Sequence, residues 1–156
     1  MRVAELMTKQ VASCKPEESL SAAAKLMWDA DCGAVPVVGA DGMVKGMITD
    51  RDICMACFTR NQAPGSVLVK EAMSRKLYSC KTNSQVSEAE NIMRTNQVRR
   101  IPVVDAQGRL AGVLSLADIV REAERSRGKS SQEVTADDVA AILGGISQRQ
   151  AAAPSH

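Results

Sequence analysis

Thr49 and Asp52 stand three residues apart in the phrase GMITDRDI (residues 46 to 53), and Ser115 and Asp118 stand three apart in GVLSLADI (residues 112 to 119). A hydroxyl followed three positions later by a carboxylate, after an apolar run, is the sequence of a capping box. There each side chain satisfies an unpaired N–H at a helix start. Cys54 and Cys57 form a Cys-x-x-Cys pair, a spacing used in redox exchange and zinc sites. No second such pair exists, and the sole histidine is His156. The expectation is buried small apolar side chains and no metal, with a metal or redox protein using Cys54 and Cys57 as the alternative. Catalysis finds no footing: there is no internal histidine, nucleophile elbow or P-loop, and the carboxylates come one per phrase.

The elements that must position these residues come from a duplication. Sliding the chain on itself by 66 residues aligns 3–53 with 69–119 without a gap, and about a third of the pairs are identical. In each copy a short extended piece (QVASC or KLYSC) precedes an amphipathic helix, whose apolar face is Leu20, Ala23, Ala24 and Met27 or Val86, Ala89 and Met93. Ser19 and Ser84 are the expected N-caps. The runs AVPVV and RIPVV then form hairpins with MVKGMI and RLAGVL, turning at Gly42 and Gly108. A second helix starts at Thr49 or Ser115.

The fold class is therefore α+β: two tandem β-α-β-β-α repeats packed as a pseudo-two-fold pair, plus a short C-terminal helix. The expected boundaries are 1–60 for the first repeat, 61–66 for the linker (Pro64 and Gly65 marking it), 67–125 for the second repeat and 126–156 for the remainder. In that remainder a polar connector leads to a helix capped by Thr135 and ended by Gly144, and the last residues read as disordered.

The chain has 156 residues, 45% of them hydrophobic and 24% charged, which is ordinary globular material. With a net charge of +2 and 2% aromatic residues, a nucleic-acid surface of basic stripes and stacking rings is unsupported. No apolar run approaches the roughly 20 residues of a membrane span, and MRVAELMTKQ lacks the apolar core of a secretion signal, so the expected compartment is the cytoplasm. Five cysteines in such a chain are expected to be reduced.

The repeat unit, the strand ending in Pro-Val-Val, the small turn and the closing Gly-x-[I/L]-[T/S]-x-x-Asp-Ile resemble CBS domains, and the pair resembles a complete Bateman module over residues 3 to about 121. The resemblance implies a regulatory module, with no cofactor, that binds an adenosine-containing ligand such as AMP or ATP in clefts between the copies. In those clefts Asp118 and Asp52 take the ribose. Ser115, Thr49, Arg99 and Arg100 take phosphate, helped by the helix dipole. The backbone around Val35, Pro36, Ile101, Pro102, Cys14 and Cys80 takes the base. Pro36 and Pro102 have no N–H for a ladder, which places their strands at a sheet edge.

Arg99 and Arg100 align with Gly33 and Ala34, so the copies differ in charge, and the stronger cleft is expected to unite at least one of these arginines with Ser115 and Asp118. The bland reading of the pair is a solvated surface charge. Arg51 and Lys45 are weaker candidates for the first copy. A homodimer is expected, because Met27, Trp28 and the helix after Thr49 would expose an apolar patch on a lone subunit. A regulated protein partner is also implied. The rival reading is a ligand-free dimerisation or interaction scaffold.

Overall fold

The computed structural model describes residues 1–128 and 134–147. Helix α1 (Val3–Leu6) precedes the first repeat: α2 (Leu20–Asp29), β1 (Ala34–Val38), β2 (Val44–Thr49) and α3 (Asp50–Arg60). A 3-10 turn (Pro64–Ser66) and α4 (Val69–Ala72) lead to β3 (Cys80–Lys81), α5 (Val86–Asn96), β4 (Arg100–Val104), β5 (Leu110–Ser115) and α6 (Leu116–Ser126). Then comes α7 (Ala136–Ser147). The mixed fold and the doubled unit are those expected from the 66-residue offset. No helix among the described residues is long and apolar enough to cross a membrane.

Both hairpins have one register: Ala34 opposite Thr49 to Val38 opposite Val44, and Arg100 opposite Ser115 to Val104 opposite Leu110. Gly42 (φ 78°) and Gly108 (φ 81°) make the turns in a left-handed conformation that a side chain would strain. Each repeat has its own core. One holds Leu20, Ala23, Met27, Val35, Val37, Ile48 and Ile53; the other holds Val86, Ala89, Met93, Ile101, Val103, Leu114 and Ile119.

The leading segment of each repeat is built into the other. Val3 lies in the second core, with its N–H on Ser84 O at 2.9 Å, while Val67 and Val69 lie in the first, where Val69 N–H reaches Glu18 O at 2.8 Å. Beyond them Thr8 exchanges both backbone hydrogen bonds with Val113 (2.9 and 3.0 Å), and Ser74 N–H donates to Met47 O at 2.9 Å. Gly112 and Gly46 sit beside these crossings. A Cβ at Gly46 would overlap the Ser74 carbonyl, and one at Gly112 the Thr8 carbonyl. The glycine of the repeated phrase therefore serves backbone approach between repeats.

Several expectations are corrected. β4 lies between β3 and β5, so Pro102 is not on an edge strand. It is tolerated because pairing with β3 begins only at Cys80 opposite Val103, while Val113 spends its own N–H and C=O on Thr8. Ser19 caps α2 (Ala22 N–H to Oγ, 3.2 Å), but α5 is entered through Gln85, the position aligned with Ser19, and not through Ser84. Thr135 caps α7 in a capping box with Asp138 as expected, yet α7 runs through Gly144 to Ser147. Gly145 lies flush against Arg94 of α5, too close for a Cβ, so packing keeps a glycine inside the helix. Met27 is core, not surface, and Cys54 is exposed on α3 with Cys57 half-buried, so the pair is not a buried apolar unit. The end of the chain, expected to be disordered, lies outside the described residues.

Two outcomes follow from this packing. Gly46→Ala or Gly112→Ala forces the crossing backbones apart and costs about 1–3 kcal/mol, a drop of several degrees in Tm by calorimetry. Cys14 and Cys80 are buried, and burial first, then the charges of Glu18 and Glu88 respectively, push both thiols up to about 11. Near pH 8 only about one in a thousand is thiolate, the reactive form. Iodoacetamide followed by peptide mass spectrometry is expected to label Cys54 in the native protein and to spare Cys14 and Cys80 until the fold is opened with urea. Raising the pH raises their labelling.

Candidate functional site

The repeated phrases place a helix N-terminus at the mouth of a cleft twice. Thr49 Oγ1 accepts from Asp52 N–H at 3.1 Å while Asp52 Oδ2 accepts from Thr49 N–H at 2.9 Å. Ser115 and Asp118 repeat the box (3.3 and 2.8 Å), with the Ser115 hydroxyl also donating to Asp118 Oδ2 at 2.6 Å. Capping, the bland reading, is thus real at both places. It leaves a difference between them. Asp118 is 5% exposed and its Oδ1 is held by the Arg121 guanidinium. Asp52 Oδ1 accepts no hydrogen bond among the described residues, because the residue aligned with Arg121 is Met55.

Each cleft joins the helix start of one repeat, the strand start of the other and the chain just after a crossing, and Ile146 of α7 also lines the larger. The larger, of about 650 Å3, combines Thr49, Asp50, Arg51 and Asp52 with Val98, Arg99 and Arg100 and with Ser74, Lys76 and Tyr78. The smaller, of about 210 Å3, combines Ser115 and Asp118 with Ala34, Val35 and Pro36, with Thr8, Gln10 and Ala12, and with Arg100. Ser74, Lys76 and Tyr78 are the 66-residue counterparts of Thr8, Gln10 and Ala12. The duplication therefore marked them, although no motif did.

Of the residues singled out from the sequence, Thr49, Asp52, Arg99 and Arg100 meet in the larger cleft, and Ser115, Asp118, Val35, Pro36 and Arg100 meet in the smaller. Arg100 joins Ser115 and Asp118, as the expected grouping of these two with at least one arginine requires, whereas Arg99 lines only the larger cleft. Ile101, Pro102 and Cys80 are buried in strands, Cys14 is buried at an isolated bridge to Val37, and none of the four lines either cleft. Arg51 lines the larger cleft. Lys45 is taken by Asp41 at 2.7 Å on the hairpin turn.

The larger cleft is cationic: Arg51, Lys76, Arg99 and Arg100 stand against Asp50 and Asp52. Lys76 lies 5.4 Å from the Tyr78 ring centre, and its hydrogen bond to the Tyr78 hydroxyl, then the phenol's charge, raises its pKa further. The ring beside the ammonium offers a flat apolar face. Among the described residues no three His, Cys, Asp or Glu side chains gather as a metal site.

Comparison with known proteins agrees with the doubled unit. The CBS domain family model matches residues 3–58 and 69–125. The chain is 40% identical over 117 residues to the CBS domain-containing protein YhcV of Bacillus subtilis, covering 75% of this chain and 81% of that one. Among solved structures it is similar to Hypoxic Response Protein I, crystallised with two coordinated zinc ions, with a TM-score of 0.72, 34% identity and coverage of 78% of this chain and 98% of that one. It shares its fold with CBSX2, crystallised in complex with AMP, at a TM-score of 0.70, 24% identity and coverage of 80% and 96%. With two gapless copies, two matched units and their crossed packing, the chain belongs to the CBS-domain family as a tandem pair.

Proposed function

We propose that the chain is a non-catalytic regulatory module that binds an adenosine-containing ligand of AMP or ATP type, chiefly in the cleft of Thr49 and Asp52. The carrying observation is the convergence there of a helix N-terminus, a carboxylate oxygen without a donor, and four cations. Phosphate suits guanidinium forks and helix N–H groups, and a carboxylate accepts ribose hydroxyls. The cleft of Ser115 and Asp118 is a second site with less charge, where Arg121 must release Asp118 before it can take a sugar. CBSX2, of the same fold, is seen with AMP, which makes AMP the first compound to try.

The signal is passed on by a surface. Trp28 on α2 is 85% exposed and lines a groove of about 560 Å3 with Met27 and Ile53, and on α3 Phe58 and Met55 are 77% and 44% exposed. On the second repeat the counterpart flank is covered: α7 lies over α5 and α6, with Ile142 buried and Gly145 on Arg94, the residue aligned with Trp28. We place the homodimer contact on the bare first flank. An exposed apolar patch of this kind, centred on tryptophan, is typical of an interface.

In thermal-shift measurements, AMP at a hundred times its Kd is expected to add about 2.7 kcal/mol and raise Tm by several degrees. Asp52→Ala removes charge-assisted hydrogen bonds worth about 1.5–3 kcal/mol each, and Arg99→Ala weakens AMP far more than adenosine. A melting curve unmoved by AMP, ADP, ATP, NAD and S-adenosylmethionine at millimolar concentration would leave the scaffold reading standing. For the interface, light scattering is expected to give a dimer at micromolar concentration and a monomer for Trp28→Asp. A monomeric unmutated chain would refute the assignment.

A further inference from the structure

The hairpin register puts two counterpart residues at the seam between the clefts. Ala34 stands opposite Thr49 and Arg100 opposite Ser115, and both Ala34 and Arg100 line the larger and the smaller cleft alike. One of these shared positions carries a methyl group and the other a guanidinium. Arg100 is exposed, and among the described residues its side chain takes no hydrogen bond or ion pair. Arg99 lines only the larger cleft, so Arg100 is the one cation among the residues lining the smaller.

We infer that Arg100 is a shared phosphate ligand that makes the two clefts antagonistic toward anions. They then take two adenosine compounds of different charge, a phosphorylated one beside Thr49 and Asp52 and an uncharged one beside Ser115 and Asp118. This rests on the adenosine-binding reading above. One guanidinium fork grips one phosphate at full strength. Once Arg100 turns to a phosphate in the larger cleft, the smaller cleft keeps no lining cation for an anion, since Arg121 is already spent on Asp118, and a second phosphate meets like charge across the seam. An uncharged nucleoside needs only ribose and base contacts, and is indifferent to where Arg100 points. The counterpart Ala34 explains why there is no second fork to relieve the conflict.

Calorimetry on the full chain with AMP and adenosine tests this. The first AMP is expected to bind about fivefold or more tighter than the second, within the usual range of coupling between sites, while adenosine fills the remaining site of AMP-saturated protein unhindered. Ala34→Arg gives each cleft its own guanidinium and brings the second AMP up to the first. Should that variant not fold, Arg100→Ala at an exposed position decides: AMP weakens while adenosine keeps its affinity. Two equal, independent AMP sites in the unmutated chain, or an Arg100→Ala that leaves AMP unchanged, overturn the inference while adenosine binding stands. No heat from either compound in any variant overturns the adenosine reading and this inference together.

Discussion

The backbone exchange between repeats is the constraint on which the rest depends. Thr8 pairs with Val113 and Ser74 with Met47, and each crossing is possible only because Gly112 and Gly46 present no side chain to the incoming carbonyl. The exchange places Val3 in one core and Val67 and Val69 in the other, so neither core is complete without the other repeat's leading segment. It also delivers residues 8–12 and 74–78 to the clefts. A cleft made from separate pieces of chain is held in shape by this crossing, since it fixes how those pieces meet.

Equal backbones do not make equal clefts. The same register and the same capping box recur, yet side chains at matched positions diverge: Arg99 against Gly33, Arg100 against Ala34, Lys76 against Gln10, Arg121 against Met55. At Gly33 the difference has a steric side, since the Asp50 carboxylate packs over the space a Cβ would take. The charge gathers on one side of the seam, and the carboxylate neutralised by an arginine lies on the other. Duplication supplied a symmetric frame, and substitution made its two clefts chemically unequal.

The outer flanks diverge in the same way. α7 completes the second repeat by burying Val134 and Ile142, and at this contact the Glu90 carboxyl has its pKa raised by burial and then by Asp138. Among the described residues the first repeat has no such cover, and Trp28 and Phe58 are exposed. The two copies thus differ, among the described residues, outside as well as in their clefts: one flank keeps apolar side chains exposed, and the other is sealed by α7.

The repeat, its elements, the helix starts at Thr49 and Ser115 and the charge difference at 99–100 were legible in the sequence, because they rest on local periodicity, capping and a gapless offset. Where local preference competed with that offset, as at Ser84 against Gln85, the offset was the better guide. Three things were decided only in three dimensions. The first is which repeat's helix start faces which repeat's strand start: it sends Arg99 to Asp52 and not to Asp118, and it depends on long-range crossing pairs that no local pattern records. The second is the place of Pro102 in a middle strand, tolerated because its neighbour starts one residue later. The third is the length of α7, which runs past Gly144, the expected stop, to pack Gly145 closely on Arg94, since tertiary packing outweighs the roughly 1 kcal/mol that a glycine costs a helix.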